Sequence, residues 1–354
     1  MDARSSVSVI ITTHNRAAIL PRAIESVLPQ LRPGDELFVV DDGSTDGTAQ
    51  AVEPYLDRLR FLTQANQGPG AARNLGIESS SGDYVTFLDD DDQYLPGRLE
   101  VMRTVLDRFP ETVYAFTSYR HERRDGGFNR SAITRWAPQL AWWAEEEAER
   151  YRYSGFAELP EGYEDFQVAV GNDYLLQMRV DFVGPPFLMA RRSLAGELLR
   201  FPTDIWRYED WEFTARLARE APVAFLDTDP YLYRIPPVPE DRLMNHDILE
   251  MAGHRLTVLR RVWGQDPEFL ARHREEFIAR CDRELLWRGE RLLSHGRPHD
   301  AARELSQLSR RAPALLQALT FVPAPVLRAA TGARRTVRRW TSAALKPRVA
   351  RLES

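Results

Sequence analysis

The sequence predicts an α/β fold, a mostly parallel sheet with helices on both faces, followed by an α-helical C-terminal region. Three observations predict it. Short apolar runs alternate with segments of helical period from Val7 to Leu88. Two of those runs pass straight into acidic turns. From Asp241 onward the apolar residues recur at helical spacing and strand patterns stop. Strands alternating with helices read as parallel strands joined by crossover helices. In such sheets ligands sit beyond the carboxyl ends of the strands.

The elements follow in order. Val7–Ile11 is a β-branched strand, and Ala17–Leu28 is a helix with Ile19, Leu20, Ala23, Ile24, Val27 and Leu28 at helical spacing. Glu36–Val40 is the next strand and Thr48–Leu56 the next helix. Arg60–Leu62 is a third strand, Gly70–Glu78 a helix, and Tyr84–Leu88 a fourth strand. The stretch from Tyr119 to Arg234 is less regular. It is rich in aromatics, including Trp136, Trp142, Trp143, Tyr151, Tyr153 and Phe156, with a strand expected over Asp181–Ala190, interrupted by Gly184-Pro185-Pro186, and a helix over Trp211–Ala221. Leu285, Leu286, Leu292, Leu293, Ala301, Ala302, Leu305 and Leu308 suggest a helical hairpin turning near Gly296-Arg297-Pro298. One such unit is too few for a solenoid.

Bulk properties narrow the class. The 354 residues are 43% hydrophobic, enough for a core, and the formal net charge of -5 offers no global attraction to nucleic acid. The single cysteine, Cys281, excludes an intrachain disulfide and a cysteine-rich metal site. Met1–Ser8 lacks the apolar core of a secretory signal. No uncharged stretch approaches the roughly 20 residues of a spanning helix; the longest, Ala312–Leu327, is broken by Pro313, Pro323 and Pro325.

Four segments can carry chemistry. Asp89-Asp90-Asp91-Asp92 closes an apolar strand, and adjacent carboxylates repel unless a cation or water screens them. Hard oxygen ligands suit Mg²⁺ or Mn²⁺; the plain alternative is a solvated loop that starts a helix near Pro96. Asp41-Asp42-Gly43-Ser44-Thr45-Asp46-Gly47 can offer carboxylates and N–H groups, or be a turn with an N-cap for the helix from Thr48. Asn66–Asn74 is a glycine-rich loop before a helix, able to cradle phosphate. It lacks the GxGxxG spacing and the P-loop lysine. Tyr208-Glu209-Asp210-Trp211, just before a helix, can hold a general base or merely cap that helix. His14 follows the first strand, while the other histidines show no metal-ligand spacing. No GxSxG elbow is present.

The order of these segments is more telling than any one of them. VSVIITTHN (Val7–Asn15), VVDDGSTDGT (Val39–Thr48), NQGPGAARNLG (Asn66–Gly76), GDYVTFLDDDD (Gly82–Asp92) and Glu209-Asp210 together resemble the family 2 glycosyltransferases, inverting enzymes of the GT-A fold, over roughly two thirds of the chain. The resemblance implies a GT-A nucleotide-binding mixed sheet, with 1–118 as the nucleotide-sugar half and 119–240 as the acceptor and catalytic-base half of one domain. The helical region 241–322 and a basic tail, 323–354, would follow. It implies that Thr12, His14 and Arg16 line the nucleoside pocket, that Asp42 contacts the base and that Arg73 sits near the diphosphate. Asp89 and Asp91 would be the metal-binding pair, with Asp91 the direct ligand, Asp89 near the ribose and Asp90 in the variable middle position. Asp210 would be the catalytic base, with Glu209 beside the substrate. The cofactor would be Mn²⁺ or Mg²⁺. The partners would be a nucleotide-sugar donor, by analogy a UDP-sugar, and a glycan or lipid-linked glycan acceptor of the bacterial cell surface.

Three departures from the family pattern stand out. Tyr233-Arg234 is followed by Ile235-Pro236 and not by a histidine, which leaves a third metal ligand open between His246 and water. No QxxRW-like motif appears, which argues against a processive synthase. Arg120–Glu164 is longer than a minimal version needs, and its aromatics either stack on acceptor sugars or fill a satellite core. The tail carries Arg328, Arg334, Arg335, Arg338, Arg339, Lys346, Arg348 and Arg351 among apolar residues. Such a segment either lies on an anionic membrane or is a solvated tail. The expected location is cytoplasmic, with peripheral contact at the inner membrane face on the first of those readings. Two other classes remain: an inactive sugar-nucleotide or carbohydrate-binding module, opposed by intact Asp91 and Asp210, and a nucleotidyltransferase, whose glycine- and lysine-rich N-terminal signature is missing.

Overall fold

The computed structural model describes residues 5–123, 125–234, 248–309 and 314–323. Contacts divide the chain into two compact units, Met1–Arg242 and Leu243–Ser354.

The first unit begins with β1 (Val7–Thr13), α1 (Leu20–Val27), β2 (Glu36–Asp41), α2 (Thr48–Val52), β3 (Arg60–Thr63), α3 (Pro69–Ser79) and β4 (Tyr84–Asp89). It continues with β5 (Gln93–Tyr94), α4 (Arg98–Arg108), β6 (Tyr114–Thr117), β7 (Arg120–Glu122), β8 (Phe128–Asn129), α5 (Ala132–Trp136), α6 (Pro138–Glu146), β9 (Glu149–Arg152), β10 (Gln167–Gly171) and α7 (Tyr174–Arg179). It ends with β11 (Leu188–Arg191), α8 (Arg192–Ala195), α9 (Glu209–Glu220), β12 (Val223–Leu226) and β13 (Tyr231–Tyr233).

Nine strands form one sheet in the order β3-β2-β1-β4-β11-β6-β12-β10-β9, and β5-β13-β7-β8 form a second. β1 to β4 are parallel, whereas β11 runs antiparallel between β4 and β6, so the large sheet is mixed. The strand order reverses at β1, with β2 on one side and β4 on the other. Register sets Thr12 opposite Asp89 and Thr13 opposite Asp41. The acidic turns therefore leave the sheet at one edge, at its switch point. The strands are buried on both faces, as Val9, Ile10, Ile11, Phe38 and Phe87 show.

Several boundaries depart from the sequence expectation for local reasons. Helix α2 stops at Val52 and a 3₁₀ turn follows over Glu53–Tyr55. Pro54 lacks an N–H and crowds the carbonyl four residues back. α1 begins at Leu20 rather than Ala17, with Pro21 in its first turn. Of the expected strand at Asp181–Ala190 only Leu188–Arg191 pairs; the prolines turn Pro185–Phe187 into a 3₁₀ helix. α4 starts at Arg98, beyond β5, so the four aspartates do not begin it.

The second unit comprises α10 (Ile248–Val262), α11 (Pro267–Ser294), α12 (Pro298–Leu305) and α13 (Ala314–Leu319). Asp266 caps α11 by accepting the Phe269 N–H at 2.9 Å. The α11–α12 hairpin turns at Gly296 (φ 67°) and packs Leu292, Leu293, Ala301, Leu305 and Leu316 together. Ala302 faces solvent, unlike its expected place in that seam. Among the described residues no helix is long and apolar enough to cross a membrane. Pro236, His246 and the tail from residue 324 onward lie outside the described residues.

Candidate active site

The ends of β1, β2 and β4 supply the site. After β1, the half-exposed Thr12 is followed by His14, whose Nδ1 donates to the Asp42 carbonyl at 2.9 Å. That bond fixes the tautomer, because a carbonyl can only accept. Nε2 is then the acceptor for the Asn15 and Asn66 amides at 3.0 and 3.3 Å. Arg16 stands 3.6 Å from Asp91.

The turn after β2 is braced by its own acids. Asp41 accepts the Ser44 N–H, and Asp46 accepts the N–H groups of Ala17 and Thr48. Asp42, expected at the base, holds the loop that follows. Its carboxylate is buried and accepts the Gln67 and Gly68 N–H groups at 2.9 and 2.8 Å and the Gln64 amide at 2.7 Å. Asp42 thereby shapes the glycine-rich loop. Gly68 has φ 89° and ψ 167°, a region open essentially to glycine alone. A Cβ there would meet the half-exposed indole of Trp206 at 3.2 Å. At Gly70 a Cβ would lie 2.9 Å from the Pro202 carbonyl.

The four adjacent aspartates have four different environments. Asp89, at the end of β4, takes the Arg73 guanidinium at 3.2 Å and stays 36% exposed. Asp91, 25% exposed, faces Arg16. Burial pushes the Asp90 carboxyl up to about 7. Asp92 is buried, accepts the Tyr231 hydroxyl and the Arg234 N–H, and is raised well above the usual carboxylate range by that burial and by its acidic neighbours. Asp89 and Asp91 are the two members that meet an arginine and keep partly exposed carboxylates. Two hard carboxylates fit Mg²⁺ or Mn²⁺, ions that keep several waters and share substrate phosphates. Among the described residues no group of three or more His, Cys, Asp or Glu is placed to hold a metal. The fit is thus to an open two-carboxylate site completed by donor and water.

Glu209 and Asp210 open α9, inside its first turn rather than before it. The preceding Tyr208 has φ 64°, a sparsely populated conformation for a bulky residue. Burial raises the Asp210 carboxyl, opposed by Arg73, and burial with the neighbouring Asp210 charge pushes Glu209 up to about 7. Asp210 accepts the Trp211 N–H at 2.8 Å. Arg73, expected near the diphosphate, is 8% exposed and bridges Asp89 and Glu209, each at 3.2 Å.

Among the described residues, Thr12, Asp42 and Asp89 thus lie at this one sheet edge, and Arg73 ties Glu209 to it. Reasoning from sequence missed Asn74, Asp92, Trp206 and Tyr208. Asn74 stood in the glycine-loop motif, and Asp92 in the acidic run. Nothing in the sequence marked the positive φ of Tyr208. Of the aromatics in 120–164, Trp143 and Tyr153 are buried, as a satellite core requires, whereas Trp136 and Trp142 remain 55% and 48% exposed.

The chain is similar to known proteins in sequence over its first part and in fold. The model for "Glycosyl transferase family 2" matches residues 8–169. An uncharacterized glycosyltransferase of Rickettsia felis is 36% identical over 126 residues, 35% of this chain and 21% of the relative. A Campylobacter jejuni protein named GalNAc(5)-diNAcBac-PP-undecaprenol beta-1,3-glucosyltransferase is 40% identical over 101 residues, covering 27% of this chain and 33% of its own. The chain thus spans about a fifth to a third of these relatives. Crystalline S. aureus TarS 1-349 in complex with UDP-GlcNAc matches with a TM-score of 0.54 at 18% identity, covering 94% of this chain and 92% of that one. The mannosyltransferase PcManGT from Pyrobaculum calidifontis, in complex with GDP-Man and Mn2+, matches with a TM-score of 0.50 at 17% identity over 96% and 84% of the two chains. These structures show the fold, which is GT-A.

Proposed function

From the premise that residues 8–169 are a family 2 glycosyltransferase domain, we propose that this protein transfers a sugar, with inversion, from a nucleotide-sugar to a hydroxyl of a glycan or lipid-linked glycan. The observation that carries the proposal is the span of one guanidinium. Arg73 reaches both Asp89, at the donor end of β4, and Glu209, next to Asp210. The acidic run after β4 and the acid pair that opens α9 thus meet on one side chain, which supports reading them as parts of one site.

Each residue then has a task. Thr12, His14 and Arg16 line the nucleoside side, and Asp42 holds the loop that borders it. Asp89 and Asp91 hold the divalent ion, and Asp90 stays between them. Glu209 steadies the base and the cleft wall. Asp210 takes the proton of the acceptor hydroxyl, and its raised affinity for protons suits a general base near neutral pH. The acceptor oxygen attacks the anomeric carbon as the bond to the diphosphate breaks, and the diphosphate leaves with the electron pair. A single displacement inverts the anomeric centre. When bound, Mn²⁺ or Mg²⁺ offsets negative charge on the departing diphosphate.

The donor and acceptor classes draw support from the relatives. TarS binds UDP-GlcNAc, PcManGT binds GDP-Man with Mn2+, and the Campylobacter relative is named for an undecaprenol-linked glycan. We place this chain in the same kind of chemistry, in cell-surface polysaccharide assembly, non-processive. The basic segment 323–351 would hold it at the anionic inner face of the cytoplasmic membrane. A panel of UDP-, GDP- and dTDP-sugars tests the reading, with nucleotide release followed in Mn²⁺ and in EDTA. No release and no metal-dependent nucleotide binding with any donor would favour an inactive binding module.

A further inference from the structure

We propose that Arg73 and Asn74 form a strut that positions the catalytic base, and that Arg73 is a positioning residue rather than a phosphate ligand. The inference rests on the glycosyltransferase reading and concerns the same site. Consecutive residues of α3 hold both ends of the segment 202–208. At one end Asn74 makes a reciprocal pair with the Phe201 backbone: its amide donates to the carbonyl at 2.9 Å and its oxygen accepts the N–H at 2.7 Å. At the other end Arg73 holds Glu209 at 3.2 Å, the first residue of α9. Asn74 is itself buried.

The packing around this strut is continuous. Phe201 lies beneath the Arg73 guanidinium at 5.3 Å, stacks on Phe213 of α9 at 4.0 Å and meets Phe87 of β4 edge-on at 5.3 Å. One turn of α3 therefore sets the start of α9 relative to the end of β4. Between the two fixed ends the chain must reverse, and Tyr208 takes the left-handed conformation (φ 64°) immediately before the acidic pair. Strain of that kind persists only where the surroundings over-determine it. The guanidinium is 8% exposed and its two ends are taken by two carboxylates, Asp89 and Glu209.

The test separates binding from turnover. UDP (or GDP, where the wild type prefers it) is titrated calorimetrically with Mn²⁺ into wild type, Arg73→Gln, Arg73→Lys and Asn74→Ala, and donor turnover is measured for each. The strut predicts a kcat loss of about 100-fold for Arg73→Gln, since displacement of the base by the order of 1 Å is enough. It also predicts UDP affinity within about threefold of wild type, because a positioning role leaves nucleotide binding intact. Arg73→Lys should be nearly as impaired, as one ammonium lacks the fork that spans two carboxylates. Asn74→Ala removes no charge and should lose kcat alone. A UDP affinity that collapses in Arg73→Gln while kcat holds would make Arg73 a phosphate ligand and overturn the strut. If Arg73→Gln fails to fold, full-rate turnover by Asn74→Ala overturns it equally. A wild type that neither binds nor turns over any nucleotide-sugar contradicts the glycosyltransferase reading itself, and the strut with it.

Discussion

At the scale of single residues, the site is governed by which carboxylates are buried and what cation each one meets. Glu209 and Asp210 titrate as a pair, raised mainly by burial and held down by Arg73. Transfer needs the base ionised. Turnover should therefore rise with pH along an acid limb set above the ordinary carboxylate range, because burial raises Asp210, and level off above it. Glu209→Gln removes the adjacent negative charge, which should shift that acid limb to lower pH; a limb that stays in place would mean the two acids do not share their titration. Asp173 is buried with Tyr114 and with Gln177, whose backbone carbonyl accepts the Trp211 indole N–H, and burial pushes the Asp173 carboxyl up to about 7 from an ordinary 3.8. The folded state then holds a proton that the unfolded state has released. Stability should fall as pH rises from about 4 to about 7 and be flat above, by linkage. Asp173→Asn, which keeps an acceptor for Gln177, should remove that slope and be more stable at pH 8 by roughly 2–4 kcal/mol. Urea denaturation at pH 5 and pH 8 measures both.

At the scale of elements, the glycine-loop helix α3 does most of the organising. Gly76 lets it lie against β1, where an added Cβ would meet Ile10 at 2.5 Å. Gly76→Ala should cost about 1–3 kcal/mol by overpacking, and Gly68→Ala a similar amount by backbone strain, about 1–3 kcal/mol. Denaturation midpoints check both, and either variant at wild-type stability would mean the loop relaxes freely. The strands and helices around this motif were legible because period and composition agree there. Val7–Ile11 and Tyr84–Leu88 are β-branched or aromatic runs, and each ends in the polar turn that marks the sheet edge. The irregular half resisted reading for physical reasons. Prolines 185 and 186 replace ladder hydrogen bonds with a 3₁₀ turn, so the strand at 188–191 is four residues long. β11 runs antiparallel between its neighbours, a pairing set by distant partners and not by local pattern. The roles of Asp42 and Arg73 were hidden for the same cause. Motif order placed them at the site, and only the fold shows what they hold there: Asp42 the Gly68 loop, Arg73 both Asp89 and Glu209.

At the scale of the whole molecule, a mixed sheet brings the acidic run after β4 and the acid pair that opens α9 to the same arginine, Arg73, and the proposal makes them the donor carboxylates and the base. The open Asp89–Asp91 pair predicts that EDTA abolishes turnover and that Mn²⁺ or Mg²⁺ restores it; full activity in EDTA would show that the pair works without a metal. The basic tail predicts co-sedimentation with anionic liposomes that is lost on truncation after Leu319, and unchanged binding would refute membrane contact through it. The central claim is that Asp210 is the base of an inverting sugar transfer. The most direct measurement is nucleotide release from the donor that the wild type turns over, in Mn²⁺, by wild type and by Asp210→Asn, with UDP affinity measured alongside. The account predicts a loss on the order of 100-fold or more in Asp210→Asn, as expected on removing a general base, with nucleotide affinity retained. Undiminished release from Asp210→Asn would contradict it, and the base would have to be sought elsewhere in the cleft.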